Sequence, residues 1–220
     1  MPIQLLGNGG VTAEVDGTTF RAVRVTPRPI EYGAFGHYRF SRTIPLVVTQ
    51  AANGSLLSFR WGDATRLCVI TKLRLQCMQT AAATATIMPA FQVFVARSFS
   101  ASDSVGTALT LTGNSFKKRT SMGTTLVTDA RISAVAAGLT AGTRTLDADP
   151  ILELNTQQTI TTPNAVLYQV ALDTDGGDGN HPLVLAQNEG IIVRGPTVVF
   201  GAAGTANLTV DMAWTEVSTF

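Results

Sequence analysis

The sequence predicts an all-β chain, folded as an antiparallel jelly-roll-like sandwich with an extended N-terminal arm and at most a short helix in a central insertion. Three observations carry this. Apolar and polar residues alternate in segment after segment, and a period of two marks a half-buried strand. The 220 residues include 31 threonines and 20 glycines, a mix of β-branched and turn residues that favours strands over helices. Hydrophobic residues reach 45% and charged residues only 14%, against about a quarter charged in an average domain. A chain so rich in apolar residues is not of the disordered class. No fixed-period repeat is visible, which argues against propellers and solenoids.

The elements follow in order. Residues 20–26, Phe-Arg-Ala-Val-Arg-Val-Thr, read as a strand ended by Pro27 and Pro29, which remove donors and fix φ. Residues 27–45 mix aromatics, arginines and glycines without clear period, as an extended arm would; residues 1–45 are therefore set apart from a single sandwich over 46–220. Strands are expected at 46–50, 55–61 and 67–78, with Leu57, Phe59 and Trp61 on one face of the second and Ser58 and Arg60 on the other. Asn53-Gly54 reads as a hairpin turn, because both positions tolerate positive φ. After a strand at 91–96, residues 98–163 are rich in Ser, Thr, Gly and Ala and read as an elaborated connection, within which Asp129 to Ala137, closed by Gly138, fits a short helix with a glycine cap. The final third returns to alternation. Val166, Tyr168, Val170 and Leu172 share a face, short apolar strands follow at 183–185 and 190–194, and the last strand points Leu208, Val210, Met212 and Trp214 inward with Thr209, Asp211 and Thr215 outward.

Chemistry is sparse. Cys68 and Cys77 lie nine apart, and along one unbroken strand an odd separation puts the thiols on opposite faces, roughly 30 Å apart at about 3.3 Å per residue. Two buried free thiols are expected, since a disulfide needs Cα atoms within about 7 Å. With only His37 and His181 besides, a four-ligand zinc site is not expected either. The loop Asp173-Thr-Asp-Gly-Gly-Asp-Gly-Asn180 could offer oxygen ligands to calcium. The EF-hand register fails, however, with Gly177 where an acid is wanted and Val184 at the last ligand position; a solvated turn is the simpler reading. No Gly-x-Ser-x-Gly elbow, Walker loop or dinucleotide fingerprint occurs, and Ser115-Phe-Lys-Lys118 matches Ser-x-x-Lys without the partner motifs of that class. The expectation is a protein that is not an enzyme and uses no metal, cofactor or small-molecule substrate. The N-terminus lacks a basic start and an apolar run, and no apolar stretch approaches the roughly 18 residues that cross a bilayer, so a soluble protein made in a cytoplasm is expected.

Charge is uneven beneath a formal net charge of +1. Arg21, Arg24, Arg28, Arg39 and Arg42 face one acid, Glu31, between residues 21 and 42, and Phe35, Tyr38 and Phe40 interleave with them. Such arginines could stack on bases, yet the same composition marks protein interfaces. Without a wider basic footprint the protein partner is favoured over nucleic acid. Arg28, Tyr32, Phe35, Tyr38, Arg39 and Phe40 are the expected interface anchors. Lys117-Lys118-Arg119 reads as a solvated loop tip.

Three stretches resemble virion structural proteins of tailed bacteriophages. They are Ala96-Arg-Ser-Phe with Leu111-Thr-Gly-Asn114 through Arg119-Thr-Ser-Met-Gly123; Asp129-Ala-Arg-Ile132 with Gly142-Thr-Arg-Thr-Leu-Asp147; and Pro182-Leu-Val-Leu-Ala-Gln-Asn-Glu-Gly190 with Ile191–Arg194, closed by Ala213-Trp-Thr-Glu-Val217. The resemblance implies a β-rich, jelly-roll subunit of the capsid decoration or cement type, located on the capsid surface, with the major capsid protein and its own copies, as a homotrimer, for partners. It brings no catalytic residue. The alternative is a tail-fibre or receptor-binding head that recognises a cell-surface glycan. That role needs exposed Trp or Tyr beside acidic loops, whereas Trp61 and Trp214 fall on faces expected to point inward.

Overall fold

A computed structural model describes residues 35–47, 52–133, 139, 142–160, 167–173, 182–195 and 203–218, all inside one compact unit, Tyr32–Phe220. The strand expected over 20–26 and the acidic loop 174–180 with His181 lie outside the described residues. The described strands are β1 (His37–Leu46), β2 (Ser55–Trp61), β3 (Leu67–Ala81), β4 (Ala90–Phe99), β5 (Thr107–Ala108), β6 (Val127–Ile132), β7 (Arg144–Leu146), β8 (Leu152–Asn155), β9 (Leu167–Asp173), β10 (Leu183–Leu185), β11 (Gly190–Arg194) and β12 (Thr205–Val217), with one 3-10 turn at Asn114–Phe116. The fold is an all-β, antiparallel, two-sheet sandwich.

Sheet one runs β1-β12-β3, and β10 and β9 share the far edge of β3, on Cys68–Ile70 and Lys72–Met78 respectively. Sheet two runs β5-β6-β2-β11-β4, with β8 and β7 sharing the far edge of β4. The alternation read from the sequence explains which faces meet. Leu57, Phe59 and Trp61 from sheet two and Leu208, Val210, Met212 and Trp214 from sheet one are all buried in one core. Trp214 is its hub: Tyr38 stacks on it at 5.6 Å, and Phe40 and Phe59 meet it edge-on at 5.9 and 5.2 Å, geometries that add to the value of the buried area. Outside, threonines pair across strands, Thr43 with Thr209 at 3.1 Å and Thr80 with Thr205 at 2.7 Å, which suits them to a solvated sheet face. Two residues expected outward are covered all the same. Arg74 lies over Asp211, and Thr215 is fully buried between its neighbours His37 and Val69.

The structure departs from expectation at four places. Residues 37–45, expected in an arm, are β1: Tyr38, Phe40, Ile44 and Leu46 face the core while Arg39, Ser41 and Thr43 are exposed. Arg42, half-buried at an inward position, and Pro45 obscure that alternation in the sequence. Proline is tolerated because β1 is an edge strand and position 45 points its missing N–H away from the sheet. Asn53, at φ 57°, makes the expected turn, but it joins β1 in sheet one to β2 in sheet two and closes no hairpin. A turn motif fixes local dihedrals and leaves the pairing partner open.

The segment from Asp129, expected as a helix, is strand through Ile132, because β6 pairs with Leu57–Trp61 of β2; tertiary pairing overrides a weak local preference. The connection 98–163 as a whole supplies β5 to β8, which flank sheet two on both edges.

The fourth departure concerns the cysteines, both free and buried. They share the core face instead of lying on opposite ones. The register between β12 and β3 slips so that Ala213 pairs with Lys72 and Trp214 with Ile70. Thr71 is thereby an extra residue, and its bulge inverts the parity between Cys68 and Cys77.

Candidate interaction surface

Of the six expected anchors, Arg28 and Tyr32 lie outside the described residues, and the other four separate by environment. Phe35 is half-buried under the Arg66 guanidinium, 4.5 Å from the ring centre. Tyr38 is fully buried and Phe40 nearly so. Both rings are spent on the Trp214 cluster and have no free face for a partner, because β1 belongs to the sheet. Arg39 is exposed.

Polar groups at the Tyr38 end of the core are tied together. The Tyr38 hydroxyl donates to Gly123 O at 3.1 Å, and its pKa is pushed up to about 12, first by burial and then by the nearby Glu216 carboxylate, against Arg66. Glu216 is itself buried. Its Oε1 accepts from Thr125 Oγ1 at 2.6 Å and Leu126 N at 2.9 Å, and Thr125 Oγ1 lies 3.3 Å from the Trp214 indole nitrogen, which donates to it. Burial raises the Glu216 pKa; the two hydrogen bonds and Arg66 oppose it. Nearby, the Asp63 carboxylate accepts from Thr65 N, Thr65 Oγ1 and Arg66 N. Its pKa is lowered, chiefly by the Thr65 backbone bond. The Arg66 carbonyl that follows receives the Trp61 indole N–H at 3.0 Å.

On the outer face of sheet two, Ala96, Phe99 and Ile192 form a second, smaller apolar cluster. Residues 100–103 and 142–144 run over it, joined by Ser100 N to Thr143 O at 2.8 Å and Gly142 N to Asp103 Oδ1 at 2.8 Å. The Phe99 ring covers Gly190, where a Cβ would stand 2.0 Å from Phe59 O, so only glycine fits. Arg144 and Asp103 make an ion pair at 2.5 Å with side chains 7% and 0% exposed. Losing either partner leaves the other charge buried alone, at a cost of about 3–5 kcal/mol.

The outer face of sheet one carries the feature that the sequence left scattered. A cleft of about 420 Å³ is lined by Arg39, Arg42, Lys72, Arg74 and Lys118, with Asp211 as its one acid. The register explains the grouping. Arg39, Ala213 and Lys72 form one row across β1, β12 and β3, and Ser41, Asp211 and Arg74 form the next. Small Ala213 is the floor between two long cations. Arg74 donates through Nε and Nη2 to Asp211 Oδ2, and Arg42 lies 5.4 Å over the Phe116 ring. Lys118 is not a free loop tip: its backbone N–H donates to His37 O at 2.9 Å, so the chain after the 3-10 turn borders β1. Only Arg39 and Arg42 of this group stood out in the sequence. Lys72 and Arg74 join them through cross-strand register, and Lys118 through its backbone bond to His37, neither of which a linear pattern signals.

Among the described residues no three His, Cys, Asp or Glu side chains gather in a way that could hold a metal ion. No described helix is long and apolar enough to cross a membrane. Compared with known proteins, the chain matches no family model and no curated sequence.

Proposed function

We propose that this chain is a non-enzymatic structural subunit of a virus particle, a capsid decoration or cement protein that binds the outer shell as a homotrimer and bridges subunits of the major capsid protein. The observation that carries the reading is how the two sheets are wound. Count β7/β8 and β9/β10 as one ribbon each, and set β5 and β6 aside as an addition at the edge of sheet two. The remaining eight ribbons then order 1-8-3-6 in one sheet and 2-7-4-5 in the other. That order supports a jelly-roll reading of the sandwich, a fold used by capsid domains among others. Fold alone does not assign a role; the stretches that resemble phage virion proteins supply the particle.

The mechanism is adhesion. A trimer that touches several shell subunits adds weak contacts as avidity, and stable interfaces of this kind bury on the order of 1,200–2,000 Å². The test is copy number on stained gels of purified particles. A number of copies comparable with the shell protein is the expected result; a handful per particle places the protein in the tail and contradicts the proposal.

A further inference from the structure

The open edge of β1 and the cleft beside it point to a binding mode that does not rest on the shell reading. Gly36 O accepts from Glu216 N at 3.0 Å, so the even-numbered residues of β1 turn their backbone groups toward β12 and the odd-numbered ones turn away from it. His37 agrees: its O accepts from Lys118 N, and its N–H donates to Met122 Sδ at 3.1 Å. The Tyr38–Lys117 bridge then holds the Arg39 N–H against Phe116 O, and past that contact the N–H and C=O groups of Ser41 and Thr43 have no backbone partner among the described residues. A row of unpaired donors and acceptors at a sheet edge is a template for another strand.

Charge decides which strand. Arg39, Lys72 and Lys118 are exposed and make no ion pair among the described residues. A second copy of this edge would bring no carboxylate to these cations, since His37–Leu46 holds no acid. Carboxylates instead meet cations there, and the arginine fork fits them with paired hydrogen bonds. A nucleic acid is less well served, because the ring of Phe116 already lies under Arg42, and single-strand binding relies on open aromatic faces. We propose that β1 accepts, as an added strand, an extended acidic peptide segment of a partner protein. Its backbone pairs with Ser41 and Thr43, and its carboxylates seat between Arg39, Lys72 and Lys118.

The test uses the full chain and a fluorescent peptide of alternating Glu and Val, with two comparison probes: the same peptide N-methylated at alternate amides, and an oligothymidine. The acidic peptide should bind, more weakly as salt rises, and Arg39→Glu and Lys72→Glu should each weaken it by about tenfold or more. The amides of Ser41 and Thr43 should exchange more slowly in its presence, and N-methylation should abolish binding. Should either reversal lower the melting temperature, Arg39→Gln and Lys72→Gln carry the same comparison. The proposal is overturned by no binding, by binding that ignores the substitutions or the N-methyl groups, by unprotected β1 amides, or by cation-dependent binding of the oligothymidine alone.

Discussion

Glu216 sits where the hydrogen bonds of Thr125 and Leu126 meet the buried Tyr38–Trp214 cluster, and its elevated pKa has a direct consequence for stability. Below the ordinary glutamate range the folded and unfolded chains both hold the proton. Between that range and the raised folded value, the folded chain keeps a proton that the unfolded chain has released. Stability from this group is therefore full at low pH and is lost as pH rises through the window. Glu216→Gln removes the titration, so its melting temperature relative to the wild type should climb as pH rises from acid to neutral. A difference that stays constant with pH contradicts this account of Glu216. Nothing in the sequence Ala-Trp-Thr-Glu-Val signals the burial. The outward alternation of β12 makes Glu216 look inward only by parity, and a charged residue there argues against its own position. Trp214, by contrast, was legible, since it continues the apolar series Leu208, Val210, Met212.

At the scale of elements, strands marked by unbroken alternation or by a short apolar run were readable: 55–61, 183–185 and 190–194 match β2, β10 and β11 to the residue. Those that failed did so for identifiable reasons. In β1 a half-buried arginine and an edge proline interrupt the period, and β6 is strand only because β2 lies beside it. The bulge at Thr71 is the sharpest case, since one extra residue in β3 moves a cysteine to the other face. It also yields a prediction. Burial pushes the Cys68 thiol well up, with Glu216 adding to the rise, and pushes Cys77 up to about 12. Thiolate is the reactive form, so both thiols should react with a disulfide reagent only as fast as the chain unfolds. A fast phase for Cys68 in the native protein would place it on the outer face and refute the bulge. The placement of β1 also sets how the N-terminal residues can be probed. A deletion ending at residue 34 removes Arg28 and Tyr32 and leaves every described strand in place, while one ending at residue 42 takes Tyr38 and Phe40 out of the core.

For the whole molecule, the sequence carried the sandwich but not its surfaces. Alternation fixes which residues of a strand point inward, whereas a surface site depends on which strands are neighbours. The basic cleft assembles from residues 39, 42, 72, 74 and 118, separated along the chain and joined by the β1-β12-β3 order and by the contact of Lys118 with His37. Of the four described anchors, Arg39 alone lies in this cleft with an exposed side chain. The proposed adhesive role thus rests on a charged sheet edge in place of an aromatic arm. The decisive measurement is an image of the intact particle at a resolution that separates subunits. The adhesive account predicts this sandwich at symmetry-equivalent positions over the outer shell, in clusters of three. Density for it confined to the tail, or missing from every particle, would contradict that account.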